Sequence, residues 1–172
     1  MKTKLLHDIL SLAKNLQAES PAQWVPPAEG VAPRSEMVIY NALVASTGRS
    51  YIERVARQIN GTYENGWYDA CAVMIRRLLE TLIIETFEAH GIAERIKKDT
   101  DFMPLRDMIK VTLTDRTWNL SRTTKAALPK LKDIGDKSAH SRRFIAVRQD
   151  IDEIRPEVRT VVQELLILAK LK

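Results

Sequence analysis

Apolar residues recur at helical spacing through most of the chain. Leu5, Ile9, Leu12 and Leu16 form one stripe, widened by Leu6, Leu10 and Ala13, and predict a helix over residues 3–18. Residues 19–34 break the pattern with Pro21, Pro26, Pro27, Pro33 and Gly30, so they read as a linker or extended arm, because adjacent prolines cannot sit inside a helix. Met37–Ala45 fits a short helix or an extended segment equally well. Ser50 and Glu53 then form the Ser-x-x-Glu capping signature, Tyr51, Ile52, Val55, Ala56 and Ile59 give an apolar face, and Asn60-Gly61 reads as a stop. Trp67–His90 is the longest and most apolar segment, with Gly91 as its terminator, and a helix apolar nearly all round belongs at the centre. Thr100 or Asp101 is expected to cap the next helix, with Pro104 in its first turn and Phe102, Leu105, Met108, Ile109 and Leu113 facing inward. A connector with Trp118 leads to a helix over Ser121–His140, bent or begun near Pro129. The last helix is expected from about Asp152 to Leu171, since Pro156 fits only a first turn. No stretch alternates as a strand would, so the fold class is all-α, a helical bundle. Residues 1–35 are expected to form an appended helix and proline-rich arm, and residues 36–172 the bundle.

Composition narrows the function classes. A chain of 172 residues with 45% hydrophobic and 28% charged positions has enough apolar material for one real core. Its net charge of +5 is compatible with a polyanionic partner. One cysteine excludes an intrachain disulfide framework and a cysteine-rich zinc site, and Cys71, among core residues, reads as a small buried hydrophobe. No apolar run reaches transmembrane length and the first residues do not read as a signal peptide, so the expected compartment is the cytoplasm. His7, His90 and His140 are scattered, and no phosphate-binding glycine loop, His-Glu-x-x-His or serine nucleophile motif is present, so no metal and no cofactor is expected.

The chemistry concentrates in Leu131–Arg143. Read as a helix, this stretch puts Asp133, Asp136, Lys137 and His140 on one face, and Leu128, Leu131, Ile134, Gly135, Ser138 and Ala139 on the other. Gly135 and Ala139, small and one turn apart, would let another helix approach closely. The plain reading of the polar face is a solvated surface with a C-terminal histidine favoured by the helix dipole. The functional reading is a site. On the central helix, Asp69, Arg76 and Glu80 share one line, and Arg77, Thr81 and Glu88 an adjacent one. Arg76 and Glu80 are an i, i+4 pair. Charges on a buried helix must be paired or face a cleft, and an ion pair to a neighbouring helix is the expected use of Arg76, Arg77 and Glu80.

The run from Tyr63 through Trp67, Tyr68, Asp69 and Ala70 to Arg76-Arg77-Leu78-Leu79-Glu80 resembles the characteristic helix of a bacterial branch of the HEPN superfamily, with its aromatic-rich opening and Arg-Arg-x-Leu-Glu ending. The second mark of that branch is a downstream Leu-Arg-x-x-Gly-Asn-x-x-Ala-His stretch. Here Leu131, Gly135, Ala139 and His140 match, while Lys132 replaces the Arg and Asp136 the Asn. The resemblance covers about residues 50–171.

The resemblance implies a helical bundle that pairs as a homodimer. Many HEPN relatives are metal-independent ribonucleases in toxin–antitoxin, CRISPR or phage-defence systems; others bind RNA or nucleotides, or act as scaffolds. The nucleases carry an Arg four to six residues before the His, but here Gly135 stands in that region. Two function classes follow. The first is a binding domain for RNA, a nucleotide or a protein partner, with the N-terminal helix and arm as a further handle for a partner. The second is an endoribonuclease in which His140 moves the proton, Asp136 orients it, and Lys132, Lys137, Arg142 or Arg143 hold phosphate charge.

Overall fold

The structure, a computed structural model, describes residues 37–172. The expected first helix and the proline-rich arm lie outside these residues. Among the described residues six α-helices run in the order α1 (Asn41–Val44), α2 (Ser50–Glu64), α3 (Tyr68–Ala89), α4 (Leu105–Thr114), α5 (Arg122–His140) and α6 (Arg148–Leu168). The all-α class is therefore observed, with one small addition. Lys97–Lys98 (β1) and Asp101–Phe102 (β2) pair as a two-residue antiparallel ribbon, turned by Asp99 in the left-handed region. That ribbon displaces the expected cap at Thr100 or Asp101, and α4 instead begins after Pro104. Phe102, expected inward, is exposed, with the Lys97 ammonium over its ring.

Helices α2, α3, α5 and α6 form the bundle, each antiparallel to the one before it. The Tyr63 hydroxyl near the end of α2 donates to Asp152 near the start of α6, and the Lys130 ammonium of α5 donates to Glu157 of α6. Helix α3 lies against α2, α4, α5 and α6. Its Cys71, Ala72, Ile75, Leu78, Leu79, Leu82, Ile83 and Phe87 are wholly buried, which is the central position its all-round apolar pattern demands. Gly91 (φ +68°) ends it, and the Ile92 N–H returns to the Phe87 carbonyl.

Helices α2 and α6 are bounded differently from the sequence expectation. Asn60-Gly61 does not stop α2. The Asn60 amide is buried and holds both backbone groups of Ile39, accepting from its N–H at 3.0 Å and donating to its C=O at 2.7 Å. The chain turns instead at Asn65-Gly66, where Gly66 takes φ +76°. Helix α2 starts from Arg49 rather than from a Ser50 capping box, since Ser50 is already its first residue. Helix α6 starts at Arg148, because the Asp150 carboxylate accepts from the Val147 N–H at 2.8 Å, so Pro156 lies about two turns inside it. Pro129 likewise lies within α5, whose start is fixed by Ser121.

Candidate nucleic-acid interface

The Leu131–Arg143 stretch splits into two environments. The first is the seam between α3 and α5. A methyl group on Gly135 would lie 2.6 Å from Arg76 Cβ and 3.0 Å from the Ala72 carbonyl oxygen, so the two helices touch where only glycine fits. That contact sets Arg76 beside Asp136. Arg76 Nε donates to Asp136 Oδ1 at 2.6 Å, and Lys132 Nζ lies 2.7 Å from Asp136 Oδ2. Glu80 Oε2 is 3.7 Å from Arg76 Nη1, and Lys132 also donates to Asp133 at 2.8 Å. Burial works against the ionised form of Asp136, but the hydrogen bonds from Lys132 and Arg76 outweigh it and hold its pKa below the ordinary value. Lys132 is raised by its bonds to Asp133 and Asp136.

The second environment is the turn after α5. Lys137, His140, Arg142 and Arg143 are exposed, and among the described residues none of these four side chains has a hydrogen bond or an ion pair. Ser141 Oγ shapes the turn by accepting from the Phe144 N–H at 3.1 Å. Asp69 Oδ1 accepts from the Ala146 N–H at 3.0 Å and pins the segment to the first turn of α3. Ala146 is buried by this, while Ile145 and Val147 on either side are 75% and 53% exposed.

The α2–α3 turn lies at the same end of the bundle. The Tyr63 and Tyr68 rings meet edge-on at 5.8 Å. The Tyr63 hydroxyl donates to Asp152 Oδ1 at 2.6 Å and accepts from Arg148 Nε at 3.1 Å and from Arg155. Burial and the Asp152 bond push the Tyr63 pKa up. Arg155 Nε is buried with no hydrogen-bond partner among the described residues. The carboxylates at this end are committed: Asp69 and Asp150 to backbone N–H groups, Asp152 to Tyr63, Arg148 and Arg155.

The sequence candidates thus fall into three groups. His140, Lys137, Arg142 and Arg143 share one exposed end. Asp136 and Lys132 belong to the seam, where Asp136 spends both carboxylate oxygens on Arg76 and Lys132 and has no hydrogen bond to His140. Of Arg76, Arg77 and Glu80, Arg76 alone is paired to a neighbouring helix among the described residues, through Asp136; Glu80 lies against Arg76 within α3, and Arg77, one position round the helix from the seam, is exposed with no ion pair. Ala139 is exposed too, so Gly135 alone makes the close approach. Cys71 is wholly buried and its thiol is pushed up to about 12 by burial, so it is no nucleophile. Trp67, 44% exposed, was hidden from pattern reading, because an aromatic residue opening a buried helix reads as core.

Among the described residues no group of three His, Cys, Asp or Glu side chains is placed to hold a metal ion, and no helix is long and apolar enough to cross a membrane. Comparison of the chain with family models, with curated proteins and with solved structures gives no match.

Proposed function

We propose that the chain is a HEPN-like homodimeric domain that binds RNA through the α5–α6 turn, in a bacterial defence or stress setting. The observation that carries this is the set of exposed cations, Lys137, Arg142 and Arg143, around exposed His140, with no carboxylate spent on them among the described residues. An exposed cation gains little from a surface partner, but several together release condensed counterions when they meet a phosphate backbone. The two arginines offer planar forks that match phosphate oxygens.

The test is fluorescence anisotropy with a labelled single-stranded RNA over a salt series. Three permanent cations predict a log–log slope of about −2, and Arg142→Glu with Arg143→Glu should cut it to about −0.7 with at least tenfold weaker binding. Binding that ignores salt would point to a protein partner instead. Binding that ignores the two substitutions would remove the turn from the interface.

A second reading, a metal-independent endoribonuclease, is favoured by one observation: His140 is exposed, with Arg142 and Arg143 two and three residues on and, among the described residues, no hydrogen bond to its ring. An imidazole can both take and give a proton at a 2′-hydroxyl, as such a cleavage requires. Asp136 is not its orienter in this arrangement, because both its oxygens are held in the seam. Cleavage of a mixed RNA pool in chelator, lost in His140→Ala, would establish this reading, and cleavage equal in both proteins would end it.

A further inference from the structure

We propose that Trp67 is a stacking platform for an unpaired base of single-stranded RNA, set beside the cations of the α5–α6 turn. The proposal rests on the RNA-binding reading and gives it a substrate class. Trp67 is held by its backbone at both sides: its N–H donates to the Thr62 carbonyl at 2.8 Å, and its own carbonyl accepts from the Cys71 N–H at 2.9 Å. Trp67 is thus fixed at its backbone and, as a residue, 44% exposed. Indole is costly to leave in water, and the core takes up the neighbouring Tyr63 almost wholly but not this ring.

The bond from Ala146 N–H to Asp69, two residues after Trp67, brings the 145–147 segment onto the turn of α3 that Trp67 opens. Exposed Ile145 and Val147 flank that bond in the chain, so the backbone places Trp67, two exposed aliphatic residues and the turn that carries Arg142 and Arg143 at one end of the bundle. A single strand offers that combination its complement: a phosphate charge and an open π-face in every nucleotide. A duplex does not, because its bases are stacked on each other and show only edges and backbone. A protein partner would have to bring both acids and an apolar surface to the same patch, and the test separates that case.

The experiment compares labelled oligouridylate of about 12 nucleotides with an RNA duplex of about the same length, for the wild type, Trp67→Ala, Trp67→Phe and the Arg142→Glu, Arg143→Glu double variant. Trp67→Ala should weaken the single strand about tenfold and leave the duplex unchanged, Trp67→Phe should stay within about threefold of the wild type, and the double variant should weaken both RNAs. Circular dichroism checks that Trp67→Ala stays folded, and Trp67→Phe supplies the comparison if it does not. Single-strand affinity unchanged in Trp67→Ala but lost in the arginine variant would overturn the stacking platform and leave RNA binding standing. An equal loss for single strand and duplex in Trp67→Ala would also overturn it, since Trp67 would then act through local structure. No binding of either RNA by the wild type would overturn both readings together.

Discussion

The seam around Gly135 and the turn around Arg142 come from one continuous stretch of about a dozen residues, yet they use charge in opposite ways. In the seam every ionisable group has a partner: Asp136 with Arg76 and Lys132, Arg76 also with Glu80, Lys132 also with Asp133. In the turn none of the four cationic or titratable side chains has one among the described residues. The seam is where two helix backbones approach so closely that only glycine fits, and half-burial there makes an unpaired charge costly. The turn is solvated, so its charges cost nothing to leave open and remain available to a ligand. The polar face of α5 is thus two structures: its first half holds the bundle together, and its end is exposed.

The sharpest way to break the seam is to fill Gly135. An added Cβ would meet Arg76 Cβ and the Ala72 carbonyl, neither of which is the far end of a flexible chain, so the helices must separate. Gly135→Ala gains up to about 1 kcal/mol in helix propensity but should lose more to overpacking, a net cost of about 1–2 kcal/mol; Gly135→Val should cost about 3 kcal/mol or more. Urea denaturation would check both. A Gly135→Ala protein more stable than the wild type would show that the seam has room.

Much of this seam was legible in the sequence, for a physical reason. Helical periodicity placed Gly135 on a small-residue face and Arg76 and Glu80 together on the central helix, because both are local relations of i, i+3 and i+4. What periodicity cannot show is a partner far along the chain. Asn60-Gly61 looked like a stop because nothing local reveals that the Asn60 amide is taken by Ile39, 21 residues away. The extra turn at the start of α6 is not legible because Pro156 outweighs the quieter signal of Asp150 capping Val147. Arg77 was grouped with Arg76 although one residue of helix carries it about 100° away from the seam. Whether a side chain is exposed, as Trp67 and Arg142 are, depends on the whole fold and has no local mark.

Asp136→Asn should cost about 1 kcal/mol at neutral pH, modest because the pair is partly solvated. Its pH dependence carries the sign. The folded pKa of Asp136 lies below that of the unfolded chain, so its contribution is fully present above about pH 4 and is lost as pH falls through the folded value. Lys132 is shifted the other way, so its contribution is present below about pH 10.4 and is lost as pH rises through its raised value. The difference between Asp136→Asn and the wild type should therefore shrink in acid, and persistence of the full difference at pH 2 would show that the substitution acts through packing.

The smallest expected effect is in the turn, and it is the one that separates the two regions. Lys137→Ala, His140→Ala, Arg142→Ala and Arg143→Ala should each change stability by less than about 0.5 kcal/mol, because each removes an exposed side chain with no bond to lose among the described residues. The turn is held by other atoms: Asp69 on the Ala146 N–H, Ser141 Oγ on the Phe144 N–H, and Asp150 on the Val147 N–H. Asp69→Ala should accordingly cost more than any of the four cations, about 1–2 kcal/mol, since it leaves a partly buried N–H without an acceptor. Thermal denaturation of the five variants orders them directly. If an arginine substitution proves as costly as Asp69→Ala, that arginine braces the turn, and its charge is no longer free to meet a phosphate.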